Sequence, residues 1–387
     1  MRTYRVAILG CRARGTAAAR AYHAHPRTEV AGLCDLVGER LERLGNELGV
    51  GERFSDLDAM IEATAPDIVA IPTGTEFHFD LAMRVLEHGV HIDVEKPLCV
   101  NLQQADQVVA RAREKGVRIA VHHQHRLNAW LQAAHRAYEE GQIGDLLYIY
   151  TRDKGYYGGF GVMNIGTHKI NVMQKFAGAC RAVTAVGLTD GRPLTPKDVL
   201  ASPAGMGVIA GEYITAVLEF AGNVTATLLQ QRLPGAQTLA ASVVEFFGTE
   251  GRLLWRGSRA WRLPTAHLVP DGEHDRWEPL QPILPRHYDP DAGAAQDDYC
   301  FVEEYVRALD RDRDHECSGA DALRVMEAMM AIFESAAYGR RVELPQADRE
   351  HPLLRWRREH GLGAPADPAR NYEEWLKNED RRLGRIP

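Results

Sequence analysis

The segment that most restricts the fold lies near the start of the chain. A short strand, Arg5 to Leu9, runs straight into Gly10-Cys11-Arg12-Ala13-Arg14-Gly15 and then into an alanine-rich helical run from Thr16 to His23. Strand, glycine turn and helix in this order are the context in which a helix N-terminus receives the pyrophosphate of a dinucleotide. Gly10 permits the tight turn, and Gly15 lets the helix pack closely on the strand. Arg12 stands where a middle glycine usually lets a pyrophosphate approach bare backbone, so its side chain must turn away or meet a phosphate itself. Gly10, Arg12, Ala13, Arg14 and Gly15 are the first candidate cofactor-binding residues.

The alternation continues downstream. A second strand, Glu29 to Cys34, ends in Asp35, close to the distance from Gly10 at which an acid accepts from the adenosine ribose hydroxyls. A carboxylate there repels a 2′-phosphate, and Leu36-Val37 bring no arginine to receive one, so the expected cofactor is NAD(H) rather than NADP(H). Helix Val37 to Leu48 and strand Ile68 to Pro72 follow. Thr73-Gly74-Thr75-Glu76-Phe77-His78 then leads into a helix through His88, and Val90 to Val94 reads as a buried strand. Pro97 ends that strand because it has no N–H to give a ladder. Glu95 and Lys96 therefore fall at its carboxyl end, the edge of an open parallel sheet where ligands bind. Thr73, His78, Glu95 and Lys96 join the cofactor candidates. A capping box at Asn101-Leu102-Gln103-Gln104 opens a helix to about Lys115, and strand Val117 to Val121 completes the sheet.

Composition removes several function classes. A chain of 387 residues exceeds one ordinary core, so two domains are expected. The formal net charge of −7 with interspersed acids and bases offers no basic stripe to a nucleic acid, and no apolar run approaches membrane-spanning length. The six cysteines form no C-x-x-C pair, which argues against a disulfide framework or a zinc site. His122, His123 and His125 lie close together, but without partner spacing or a carboxylate among them, so no metal is expected. The N-terminal residues show no signal-peptide pattern, which points to the cytoplasm.

The ordered set Gly10…Gly15, Asp35, Pro72…His78 and Glu95-Lys96-Pro97 resembles the glucose-fructose oxidoreductase, inositol dehydrogenase and MocA (Gfo/Idh/MocA) family across the whole first domain. The resemblance implies an α/β chain: an N-terminal Rossmann domain plus a C-terminal α+β domain with a large, open, mostly antiparallel mixed sheet. The spans expected are 1–122 for the NAD-binding domain, 123–345 for substrate binding and oligomerisation, and 346–387 for a C-terminal extension. It further implies hydride transfer between NAD and a carbinol carbon of a sugar or cyclitol, with Lys96 bonding the reacting hydroxyl. The competing implication is a glycosidase or lyase that oxidises a sugar hydroxyl transiently, eliminates and re-reduces; a third is a non-catalytic NAD-binding sensor.

In the second domain, Asn164-Ile165-Gly166-Thr167-His168 resembles the family's Asp-x-Gly-x-His signature, which makes His168 the counterpart of its histidine. Asn164 replaces the acid. An amide still orients a hydroxyl but takes no proton. Asn171 likewise stands where members often carry Asp; with Arg152, Lys154 and Lys169 nearby, either the local potential favours an acidic sugar or these cations point to solvent or pair with Asp153 and other acids. Gly155-Tyr156-Tyr157-Gly158-Gly159-Phe160-Gly161 reads as a flexible aromatic loop suited to closing over a polyol ring. Arg126 matches an arginine near the family's crevice, so Asn164, Arg126, Tyr156, Tyr157, Lys154 and His123 are the substrate-binding candidates. Alternating runs at Tyr213 to Phe220 with Val224 to Gln231, and Val243 to Phe247 with Leu253 to Trp255, predict two β-hairpins. One face of such a sheet is commonly buried against a second subunit in the family, implying a homo-oligomer, dimer or tetramer. Trp356, Tyr372 and Trp375 predict that the extension docks on the body or a neighbouring subunit.

Overall fold

The computed structural model describes residues 2–233, 242–266, 271–273 and 275–387. Its elements group into two units, one of residues 1–99, 104–129 and 284–323, the other of 100–103, 130–283 and 324–387.

The first unit is built on strands β1 (Tyr4–Leu9), β2 (Thr28–Cys34), β3 (Arg53–Phe54), β4 (Ile68–Ile71), β5 (His91–Val94) and β6 (Ile119–Val121). They pair in the order β3-β2-β1-β4-β5-β6 with every ladder parallel. Strand order reverses between β1 and β4, so the carboxyl ends of these two strands flank the crevice where an open α/β sheet binds its ligand. Helices α1 (Ala13–Ala24), α2 (Gly38–Leu48), α3 (Leu57–Thr64), α4 (Thr75–Glu87) and α5 (Leu102–Lys115) make the crossovers. The helix Gln296–Asp310 returns to this unit from late in the sequence. It buries Tyr299, Phe301, Val302 and Tyr305 in one core with Val6, Ile8, Tyr22 and Ile68. Burial of such aromatic surface explains why a stretch inside the span 123–345 packs with the first sheet.

The second unit carries a ten-stranded sheet whose central order is Arg252–Trp255, Val243–Gly248, Leu146–Arg152, Thr225–Gln231, Tyr213–Phe220, Cys180–Thr189. The ladder between Thr225–Gln231 and Leu146–Arg152 is parallel and the neighbouring ladders are antiparallel, which makes the sheet mixed. Both expected hairpins form. Gly222 at φ 72° turns the first. The face that buries Phe246 is covered by the helix Thr167–Ala177, whose Phe176 ring stacks on Phe246 at 3.9 Å. On the opposite face Thr184, Val217, Thr227, Tyr150 and Glu245 run in register across five strands. Val217 and Val186 are exposed there. The extension forms helices Pro352–Glu359 and Tyr372–Arg382, and Trp356 and Trp375 are buried within this same unit. No helix among the described residues is long and apolar enough to cross a membrane.

Candidate active site

The amide of Gly10 donates to Cys34 O at 2.7 Å and ties the turn after β1 to the end of β2. Gly10 sits at φ +108°, backbone that a side chain would strain. A Cβ on Gly15 would lie 1.7 Å from Gly10 O, so the helix reaches the turn because Gly15 has none. Arg12 is the N-cap of α1 in extended backbone, φ −81° and ψ −173°, a conformation any residue adopts. That is why an arginine is tolerated at the middle position. No side chain caps α1 and its first turn holds no acid, so the amide end beginning at Ala13 keeps its positive potential. Asp35 accepts from the Cys11 amide at 2.7 Å and the Val37 amide at 2.8 Å. Those two bonds orient the carboxylate and leave a lone pair on each oxygen for a ribose hydroxyl. The turn, the uncapped amide end and the oriented acid fit an adenosine dinucleotide.

Below the turn lies a chain of charges. The Arg14 guanidinium donates to Glu95 Oε1 at 2.6 Å and to Asp298 Oδ1 at 3.0 Å. Asp298 also contacts His122 Nε2 at 3.0 Å, His122 Nδ1 contacts Asp93 Oδ1 at 3.0 Å, and the Tyr22 hydroxyl donates to Asp93 Oδ2 at 2.9 Å. Burial alone disfavours a charged His122, yet Asp93 and Asp298 together outweigh it and push the imidazole up to about 10. Burial likewise works against an ionised Glu95, but Arg14, His122 and Lys96 hold its carboxyl below the usual range. Glu95 Oε2 accepts the Lys96 amide at 3.2 Å, so the network ends on the half-buried Lys96 at the carboxyl end of β5. His78 is fully buried, with Nδ1 2.9 Å from Pro97 O and Nε2 3.3 Å from Thr73 O. Burial lowers its pKa. A neutral ring there joins the Thr73 turn to the Glu95-Lys96-Pro97 turn. His123 is buried as well, and burial, with Lys96, Arg126 and His122, takes it well below its ordinary value. Arg126 Nε stands 3.9 Å from Glu316.

In the second unit Asn164 falls in a π-helical turn, Val162–Gly166, that runs into the helix carrying His168, Lys169 and Asn171. Wide turns of this kind recur at functional sites. His168 and Asn171 are buried. Lys169 is 1% exposed, its ammonium 4.7 Å over the Trp255 ring. Burial brings it down to about 8, against the pull of Asp153 and with help from Lys154.

The aromatic segment corrects its expectation. It is a helical turn, Gly158–Gly161, with Gly158 and Gly159 donating to Glu212 O and Gly211 O at 2.9 and 2.8 Å. A Cβ on Gly159 would lie 2.5 Å from Ala210 O, so glycine serves close packing here and not mobility. Tyr157 is fully buried, its ring 5.0 Å from Trp375 and its hydroxyl 3.2 Å from Glu379. That occupies it in anchoring the extension. Tyr156 packs edge-on against Tyr372 at 5.2 Å, while Lys154 is half-buried.

Asp298, Asp93 and Tyr22 did not appear among the sequence candidates. Asp298 lies 284 residues from Arg14 and no local pattern marks it. Among the described residues no group of three or more His, Cys, Asp or Glu could hold a metal ion.

A model of the Gfo/Idh/MocA oxidoreductase family, NAD-binding Rossmann fold, matches residues 4–123, and its C-terminal alpha/beta domain matches residues 139–344. A D-apiose dehydrogenase from Paraburkholderia graminis is 25% identical over 384 residues, 92% of this chain and 93% of that protein. A scyllo-inositol 2-dehydrogenase (NAD(+)) from Bacillus subtilis is 30% identical over 132 residues, 34% of this chain and 39% of that protein. The solved structure of a levoglucosan dehydrogenase in complex with NADH and levoglucosan superposes with a TM-score of 0.72 at 20% identity, covering 89% of this chain and all (100%) of that one.

Proposed function

Because the chain belongs to the Gfo/Idh/MocA oxidoreductase family, whose first domain is an NAD-binding Rossmann fold, we propose that it is an NAD-dependent dehydrogenase of a sugar, sugar derivative or cyclitol, with Lys96 and His168 handling the proton. The observation that carries this reading is Lys96 itself, anchored through its own amide on Glu95 at the carboxyl end of β5, in the unit that holds the dinucleotide turn. The named activities of the apiose and inositol dehydrogenases support the substrate class.

Bound NAD supplies the hydride acceptor. The residues supply position and proton transfer, which typically contributes about 10²- to 10⁴-fold. Lys96 takes the hydroxyl proton as the carbinol carbon is oxidised. Its backbone amide is held by Glu95, which Arg14 holds in turn. His168 shares that proton. Asn164, in the wide turn before it, orients a neighbouring hydroxyl as donor and acceptor. His123, kept neutral by burial, offers one donor or one acceptor to the substrate, and Arg126, Lys154 and Tyr156 complete the recognition set. The ribose hydroxyls go to Asp35. We also assign the open face of the large sheet, with Val186 and Val217 exposed, to contact with a second copy. Six free, buried cysteines suit a reducing cytoplasm.

The test is a panel of sugars, glycosides and polyols incubated with NAD while NADH and products are followed. Net NADH with a keto product supports the dehydrogenase. Glycoside cleavage without NADH favours transient oxidation, and NAD binding with no turnover of any compound favours a sensor. Lys96→Met should cost about a hundredfold or more in turnover with NAD affinity retained; near-native turnover in that variant overturns the assignment.

A further inference from the structure

Beside the glycine turn lies a cavity of about 540 Å³ lined by Arg12, Arg20, Arg40 and Arg43, with Glu47 as its acid. Its charges can be followed one by one. Arg20 Nε donates to Glu47 at 2.5 Å. Arg40 stands 3.6 Å from Asp35 Oδ1. Arg43 donates to a neutral group, Cys11 O, at 3.1 Å. With Arg20 set against Glu47 and Arg40 against Asp35, Arg12 and Arg43 remain as two positive charges in one concavity. A phosphate monoester carries roughly −1.5 to −2 at neutral pH, and guanidinium forks match its oxygens.

The expectation of NAD over NADP rested on the Asp35 carboxylate and on the two residues after it. Leu36 is 90% exposed and contributes nothing. The next turn does, because Arg40 and Arg43, three apart on α2, share the helix face that looks onto the glycine turn. Asp35 is also less repulsive than its bare charge suggests: both oxygens already receive an amide, and Arg40 lies beside one of them. We propose that Arg12, Arg40 and Arg43 form a binding site for the 2′-phosphate of an adenosine ribose, so that the chain takes NADP(H) as well as NAD(H). This rests on the reading that the turn holds an adenosine dinucleotide. In NAD the Arg40 guanidinium stays on Asp35; with a 2′-phosphate it turns to the phosphate.

The experiment is calorimetric titration of the full chain with NAD, NADP, 5′-ADP, 2′,5′-ADP and inorganic phosphate. NADP should bind within about tenfold of NAD, and 2′,5′-ADP about tenfold or more tighter than 5′-ADP, as expected of charge-assisted contacts. Added salt should weaken NADP more than NAD. Arg40→Gln combined with Arg43→Gln should lower the NADP-to-NAD affinity ratio by about tenfold or more. If NAD binds and 2′,5′-ADP is no tighter than 5′-ADP, the phosphate site is overturned while the cofactor reading stands. If neither dinucleotide binds, the cofactor reading itself falls. Inorganic phosphate that binds as tightly as 2′,5′-ADP without displacing 5′-ADP would overturn the nucleotide assignment.

Discussion

Gly10–Gly15 and Gly155–Gly161 are both glycine-rich, both run into a helix, and are held by opposite physics. In the first, the constraint is local: Gly15 would collide with Gly10 O five residues away, and the turn is tied to the neighbouring strand. What surrounds it is charge, from Arg14 through Glu95, Asp298 and His122 to Asp93. In the second, the colliding atoms lie some fifty residues downstream, at Ala210, and the cover comes from Tyr372 and Trp375. The surroundings there are aromatic rings. A local constraint is visible in a short sequence window; a remote one of the same composition imitates a loop.

The sharpest test of the local constraint is Gly15→Ala. The new Cβ meets a backbone oxygen that cannot yield, so the expected loss exceeds about 5 kcal/mol, beyond ordinary overpacking. NAD affinity should fall more than about a hundredfold, since the helix end that receives the pyrophosphate moves. Thermal melts and titration check both, and a stable, NAD-binding variant would show that the turn is not set by this contact.

The charged surroundings are tested by His122→Phe, which keeps a ring to stack on Phe301, now at 4.0 Å. Removing one partner of a buried ionic cluster should cost about 4 kcal/mol near pH 6. The folded pKa, about 10, is raised above the ordinary 6.5. His122 therefore contributes fully below pH 6.5, and that contribution is lost as pH rises through about 10. Melts from pH 6 to 10 should show the gap between wild type and variant closing; a gap constant across that range would mean the ring is not held charged.

For the aromatic surroundings, Trp375→Ala should cost about 3 kcal/mol, as for a buried tryptophan with an indole hydrogen bond, here to Ala201 O at 2.9 Å. The loss should be insensitive to pH between 6 and 10, with NAD affinity within about twofold, since Asp35 and the first turn lie in the other unit. A matching loss of NAD affinity would break the contrast between the two segments.

The same contrast says what the sequence made legible. The parallel sheet, Asp35 and both hairpins follow from short-range signals: glycine at a strand end, apolar alternation, a short glycine-containing turn. Asp298 reaches Arg14 across 284 residues, and Tyr157 reaches Glu379 across 222, so neither left a local trace. Arg40 and Arg43 were visible as helix residues, but their aim at the turn depends on how α2 lies against α1.

Lys169 gives the smallest effect and the opposite sign. With Arg152 and Lys154 it was expected either to lend positive potential to an acidic sugar or to be answered by solvent and acids such as Asp153, and it is buried over Trp255 with Asp153 acting on it. Its pKa falls to about 8 from 10.5. The folded state therefore binds fewer protons than the unfolded chain between these values, and stability rises with pH in that window, where His122 makes it fall. Against Lys169→Met, which keeps the volume, the wild type should gain about 2 to 3 kcal/mol between pH 8 and 10.5. The preference for a uronate over its neutral sugar should change less than about threefold, because a charge stacked under an aromatic ring and answered by an acid projects little field. Loss of that preference in Lys169→Met, weakening with salt in the wild type, would return this cation to the substrate side.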